Sequence, residues 1–418
     1  MRWLWTVLAA WHVVGTGCRG GAIGPGRDGG PDAAQWQDGQ PDRAWDAGRW
    51  DRRPWPDASP DSSADGCVWE PEPWATVDLP MLPVVEQPPS YFVDVWGHKV
   101  AYLDVPADRG VLHVFDFETQ QEVVVGEDDL DAGVLQGMGM IRGDLVVYER
   151  LYPKGTYVWL YLKDLASGQV ELLDEGPYLG LNGHMAWPYL AYTQCVQGCD
   201  VWGDKYDLLL LNMETGDRRV LVYHAEEPIA FPGGAGPYVM WLDLVPGYGV
   251  PILVYDIEAD QTWMVEESAN APDGPSGSWW GHRLVWARQT AWWGGRDVFV
   301  TDMRTRQTRQ LTTSPEDQGG PKVWQSVVLW PDYRWSHSWY GADHPKYDLA
   351  LQDLDNGIRL RVTSCPAGYL YGLGEGWMIL GLPQDPEAQH FRVVAYDLRA
   401  VGIMDEDGHL LPNPELEF

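Results

Sequence analysis

Positive charge is what this chain has least of: 29 Lys and Arg stand against 61 Asp and Glu, a formal net charge of −32 over 418 residues. A surface of that sign repels nucleic acid and anionic lipid over a Debye length of roughly 10 Å, which argues against both as partners. Sustained helical periodicity is also scarce. Short alternating runs separated by Gly, Pro, Asp and Asn take its place, and the chain reads as all-β. The apolar run Trp3 to Val14 is too short to cross a bilayer as a mature helix. No G-x-S-x-G nucleophile elbow is present, no length remains for an added hydrolase domain, and no stretch spaces its acids as a calcium loop does.

What the N-terminus does have is MRWLWTVLAAWHVVGTGC, one Arg, an apolar core and small residues before Cys18. It reads as a secretory signal over 1–18 with a lipobox-like Cys18 as the lipidation site. Residues 19–66 are dense in Gly, Pro and Asp without aliphatic periodicity, and are expected to form a disordered linker. Cys195 and Cys199 bracket a short loop, and in an oxidising compartment they are expected to pair as a disulfide. Cys67 and Cys365 are the other possible pair.

From Cys67 on, one pattern recurs. DVFVTDMRTRQTRQLTT at Asp297 to Thr313 is an alternating strand, a polar turn and a second strand, and six other segments share that plan. Their anchors are Asp116, Asp164, Asn212, Asp256, Asp302, Asp353 and Asp397, separated by 48, 48, 44, 46, 51 and 44 residues. Each anchor carboxylate or amide is placed to accept backbone N–H groups across its turn. An earlier half precedes each hairpin, with a tight turn (Gly97-His98, Gly143-Asp144, Gly281-His282) and an apolar strand ending at Tyr102, Tyr148, Tyr192, Trp241, Trp286, Trp330 or Leu380. Seven units of this size make a seven-bladed β-propeller of four-stranded blades, with the large aromatics between blades. The strand-like stretch Trp74 to Leu79 lies before the first unit, and the last unit lacks its final strand; the N-terminal strand is therefore expected to close the ring. The propeller spans 67–405, and 406–418 is a C-terminal tail.

The order of inner strand, Gly-containing turn, apolar strand, variable loop and DxΦΦxDΦxTGxxxxLT-like hairpin, with LTT at Leu311 to Thr313, resembles the repeats of TolB-like β-propellers from about Trp74 to Ile403. The resemblance implies a propeller of the bacterial envelope lipoprotein type, many of which have no assigned activity.

Tight turns would share one face of such a ring, and variable loops and blade crossovers the other. Two insertions on the loop face stand out, Arg288 to Arg296 and Asp332 to Lys346. Their Trp292, Trp293, Trp335, His337, Trp339 and Tyr340 are the candidate binding residues, an aromatic platform for a sugar ring, a cation or a protein anchor. Acids in the crossovers, among them Asp174, Glu175, Glu266, Glu316 and Asp317, would line one rim, which could hold a hard cation; no specific metal site, cofactor or catalytic residue is assigned. His184, His224, His337, His344 and His390 could share the loop face, and oligogalacturonate lyases are enzymes of related propeller architecture. His98 and His282 occupy the same turn in two blades and read as structural.

The expected protein is a monomeric, non-enzymatic binding or scaffold module, held to the outer membrane by a lipid and facing the periplasm or the cell surface. Its partner would be an envelope protein or polysaccharide. The alternative is a carbohydrate-active enzyme, a polysaccharide lyase or glycosidase, with its site in the loop face.

Overall fold

The structure, a computed structural model, describes residues 75–78, 85–86, 90–104, 111–126, 135–151, 157–177, 179–197, 205–225, 229–230, 236–242, 251–266, 276–289, 295–314, 316–335, 348–363, 369–383 and 391–412. The chain divides into two compact units, Met1–Glu70 and Pro71–Phe418, and every described residue lies in the second. The leader, Cys18 and the expected linker lie outside the described residues.

The second unit is a seven-bladed β-propeller. Five of its seven sheets are meanders in chain order, as in blade one, where Ser90–Trp96, Lys99–Asp104, Val111–Asp116 and Gln121–Val124 pair antiparallel in sequence, and the sheets of blades six and seven also take in N-terminal strands. Middle strands are pressed between neighbouring blades, so they do not alternate: every residue of Val327–Asp332 and of Asp348–Asp353 is buried. Outermost strands have no blade beyond them, and Gln307–Gln310 is exposed throughout. The large residues within the second strands, Tyr102, Tyr148, Tyr192, Trp241, Trp286, Trp330 and Leu380, are each at most 2% exposed. They fill the space between sheets as the sequence predicts, each contributing about 1.5–3 kcal/mol of burial.

The anchors do in structure what their side chains allow. Asp116 Oδ1 accepts the N–H groups of Glu118 and Thr119, and Asp164, Asn212, Asp256, Asp302 and Asp397 repeat that pair of bonds on residues two and three further on. The residue after each anchor then donates its N–H to the carbonyl of the inner turn. The bond runs from Phe117 to His98, Leu165 to Asp144, Met213 to Pro188, Ile257 to Pro237, Met303 to His282, Leu354 to Ser326 and Leu398 to Gly376. The two turns of every blade are thus tied together on one face.

His98 and His282 sit at that tie. Nε2 of His98 lies 3.4 Å from Asp116 and Nε2 of His282 lies 3.7 Å from Asp302. Burial, with the Arg304 and Arg283 cations nearby, lowers the His282 pKa against the pull of Asp302. Blade six has Ser326 in that turn, and the C-terminal segment supplies the imidazole instead: His409 Nδ1 lies 3.0 Å from Asp353 Oδ2, which also accepts the Leu410 N–H. That bond raises the His409 pKa. Burial alone would raise Asp353, but the bonds from the Asp355 N–H, Ser326 and His409 hold it below the usual carboxylate range. Met404 and, from the segment expected to be a C-terminal tail, Leu410 are both buried in the core shared by blades six and seven.

Ring closure differs from the sequence expectation in one respect. The N-terminal segment does complete blade seven, but through Val85–Glu86, which pairs antiparallel with Phe391–Asp397. The strand foreseen at Trp74 to Leu79 is Ala75–Asp78, and it pairs parallel with Arg359–Thr363 as a fifth strand on blade six. Two residues carry too little pattern to be read as a strand, whereas ATVD alternates visibly. The first strands of blades seven and one pack together, so the ring is closed.

Candidate functional site

On the loop face, the stems of both insertions are pinned at both ends by arginine–carboxylate pairs. Arg288 is the last but one residue of the second strand of blade five and pairs with Glu266 of blade four. At the other end of that insertion, Arg296 grips Asp317 with Nε to Oδ1 at 2.8 Å and an NH2 bond to Oδ2 at 2.6 Å, and the same oxygen Oδ1 accepts the Arg296 backbone N–H. The blade-six insertion begins at Asp332, fully buried and held by Arg334 through Nε at 2.9 Å and NH2 at 2.7 Å. It ends at Asp348, whose carboxylate accepts Arg361 Nε at 2.7 Å with both side chains buried. Gln318 lies between the two stems. Its backbone N–H bonds to Arg296 and its strand bridge is to Asp332, while both atoms of its buried side-chain amide have no hydrogen-bond partner among the described residues.

The tips of the insertions are outside the described residues. That holds for Trp292, Trp293, His337, Trp339 and Tyr340; Trp335 is described only as the last residue of a single 3-10 turn, Tyr333–Trp335. Cys195 is disulfide-bonded, with Cys199 outside the described residues. The acids read as a rim are committed where they are described. Asp174 and Glu175 belong to a strand, Val170–Pro177, rather than a crossover; Asp174 accepts the Tyr192 hydroxyl and pairs with Arg218, and Glu175 accepts Trp159 Nε1. Glu266 and Asp317 hold the stems just described. Asp353, Asp355 and His409 could converge on an ion on the turn face, but Asp353 is engaged by four donors and Asp355 pairs with Arg283.

The interior of the ring carries features that the sequence reading did not single out. Trp96 ends the first strand of blade one and Trp280 that of blade five, yet their rings stack at 5.3 Å, so they meet across the axis rather than between neighbours. Trp324 of blade six packs on Trp280 at 6.1 Å. Arg142 lies 5.0 Å over the Trp96 ring, Arg399 lies 5.2 Å over Trp324, and Trp96 Nε1 donates to Glu375 at 3.0 Å. These aromatics pack together at the turn-face end of the ring interior. Above them, Asp94 Oδ2 accepts the Arg142 guanidinium at 2.8 Å and the Ile141 N–H at 3.0 Å, and Arg142 Nε reaches the Met185 carbonyl at 2.9 Å, joining blades one, two and three. The signal was present as Trp before the inner turn in VW-GH, WW-GH and VW-QS, but its convergence depends on the ring.

Neither a protein-family model nor a curated protein matches the chain. Solved structures do. A structure from a study of two prolyl endopeptidases is 12% identical over 73% of this chain and 50% of its own, with a TM-score of 0.51. The acylaminoacyl peptidase of Pyrococcus horikoshii is 11% identical over 70% of this chain and 49% of its own, with a TM-score of 0.50. TolB from Acinetobacter baumannii is 14% identical over 72% of this chain and 79% of its own, with a TM-score of 0.38. The chain spans about half the length of either peptidase, and at these identities what is shared with them is the β-propeller fold.

Proposed function

We propose that the protein is a non-enzymatic binding module of the bacterial envelope, lipid-anchored through Cys18, that presents the loop face of a rigid ring to an envelope protein or polysaccharide. The observation that carries this reading is the pinning of both aromatic insertions by four arginine–carboxylate pairs. Loops whose stems are already fixed lose less conformational entropy when a partner is bound, so more of the contact energy remains as affinity. Rigid aromatic side chains on such stems are efficient anchors for a sugar ring or a protein. The net charge of −32 favours a neutral or cationic partner.

Binding is preferred to carbohydrate cleavage because a lyase or glycosidase needs acids or bases left available for proton transfer. Glu266, Asp317, Asp332 and Asp348 are each held by an arginine. Purified protein screened against envelope polysaccharides and envelope protein extracts should bind without shortening any polymer. Depolymerisation would overturn the reading. For the anchor, Cys18→Ser is expected to release the protein from the membrane fraction, and unchanged fractionation would remove the lipid from the account.

A further inference from the structure

The outer strand of a blade borders solvent, and its side chains are exposed accordingly. Gln307–Gln310 is exposed throughout, and Arg218 and Arg219 on the outer strand of blade three are 47% and 51% exposed. Blade six departs from this. In its outer strand, Arg359–Thr363, the consecutive residues Leu360, Arg361 and Val362 are buried, and no such run occurs in the outer strands of blades one to five. The difference is the fifth strand. Ala75–Asp78 runs parallel along that edge, with Thr76 opposite Arg361 and Val77 opposite Val362, and covers what is open to water in blades one to five.

Leu360 and Val362 belong to the core between blades six and seven, so Arg361 projects from the other face of the sheet, where it stands opposite Ala350. Asp348 precedes Ala350 by two residues on that same face, and its Oδ2 accepts Arg361 Nε at 2.7 Å. Asp348 is also where the blade-six insertion rejoins the sheet. The two side chains are 4% and 10% exposed, drier than the Arg288–Glu266 and Arg296–Asp317 pairs that hold the blade-five stem. An arginine on an outer strand, elsewhere half in water, is here kept dry beneath the added strand.

We propose that Ala75–Asp78 is a latch on the loop face: paired with blade six, it keeps water from the Arg361–Asp348 pair and the insertion stem fixed, and drawn off, it admits water and loosens that stem. An ion pair in a high dielectric contributes little, whereas a buried one resists breaking because neither charge has another partner. The latch is short, four residues in parallel pairing with no hairpin to hold them. It is also first in line. A pull on the chain before Ala75 acts on these residues before it reaches the closure at Val85–Glu86. A loosened stem adds to the ordering entropy that binding must overcome, so the loop face binds less tightly with the latch drawn. The coupling rests on the stem geometry alone; its effect on affinity rests on the loop-face reading.

Full-length protein carrying Thr76→Pro and Val77→Pro tests the coupling without reference to any ligand. Of two neighbouring residues in a parallel strand one donates its N–H into the pairing, and proline has none to donate. Amide hydrogen exchange is followed by mass spectrometry in this chain and in the wild type, and in both again after Arg361→Met and Asp348→Asn remove the ion pair as a unit. With the pair present, loss of the strand should speed exchange over Asp348 to Ala350 by about tenfold or more, the rest of the ring staying protected. With the pair absent, exchange there is already fast and loss of the strand should add nothing. A rise confined to Arg359–Thr363, spread over the whole ring, or equal with and without the pair overturns the proposal. The first comparison can overturn it alone, even if the chain without the pair folds poorly.

Discussion

A chain that begins after residue 88 is expected to lose its ring closure, melting well below a chain that begins at residue 67 and binding other copies through an exposed strand edge. Among the described residues, Val85 and Glu86 are the only N-terminal residues paired with Phe391–Asp397, at Val393 and Arg392. Without them blade seven keeps three strands and presents unpaired N–H and C=O groups, a template for aggregation. The lost strand bonds cost roughly 0.5–1.5 kcal/mol each, and the cost falls on the one seam where the ring can open. A chain that begins after residue 80 separates the two N-terminal strands. It lacks only Ala75–Asp78, which lies on the outside of blade six, and should stay close to the longer chain in thermal melting and protease resistance. If the two truncations melt alike, the assignment of closure to Val85–Glu86 is wrong.

The largest single-residue effect is expected at Arg142. Its guanidinium is 7% exposed and serves the Asp94 carboxylate, the Ile141 and Met185 carbonyls and the face of Trp96, so four groups lose a partner when it goes. Removing one member of a buried pair typically costs about 3–5 kcal/mol, chiefly because the other charge stays buried and uncompensated. Arg142→Met should therefore be destabilised by about that much in urea melts. Replacing Asp94 by Asn in the same chain removes the orphaned charge and should recover part of the loss, a coupling of the kind expected for contacting residues. A cost below about 1 kcal/mol for Arg142→Met would place this pair among the weak surface bridges.

The ring itself was legible because its determinants are local and repeated. An Asx that accepts backbone N–H groups works within four residues, with two such bonds at six anchors and one at Asp353, and seven such turns at near-equal spacing leave one architecture. What escaped depends on partners distant in sequence. Ala75–Asp78 joins blade six by parallel pairing, which needs no hairpin and so leaves no turn signature. The insertions were visible as aromatic runs, but the pairs that fix their stems join Arg296 to Asp317, beyond the strand Gln307–Gln310, and Asp348 to Arg361 on the next strand. Trp96 and Trp280 belong to blades that are not neighbours, and only the closed ring brings them together.

The central claim is that the loop face binds through its pinned aromatic insertions. The most direct measurement compares the affinity of the intact protein for the envelope polymer or protein found in the screen with that of a chain in which Trp292, Trp293, Trp335, Trp339 and Tyr340 are all alanine. Aromatic anchors dominate such interfaces, so affinity should fall by about 10-fold or more while the melting temperature of the ring holds. Equal affinity in the two chains would contradict the account.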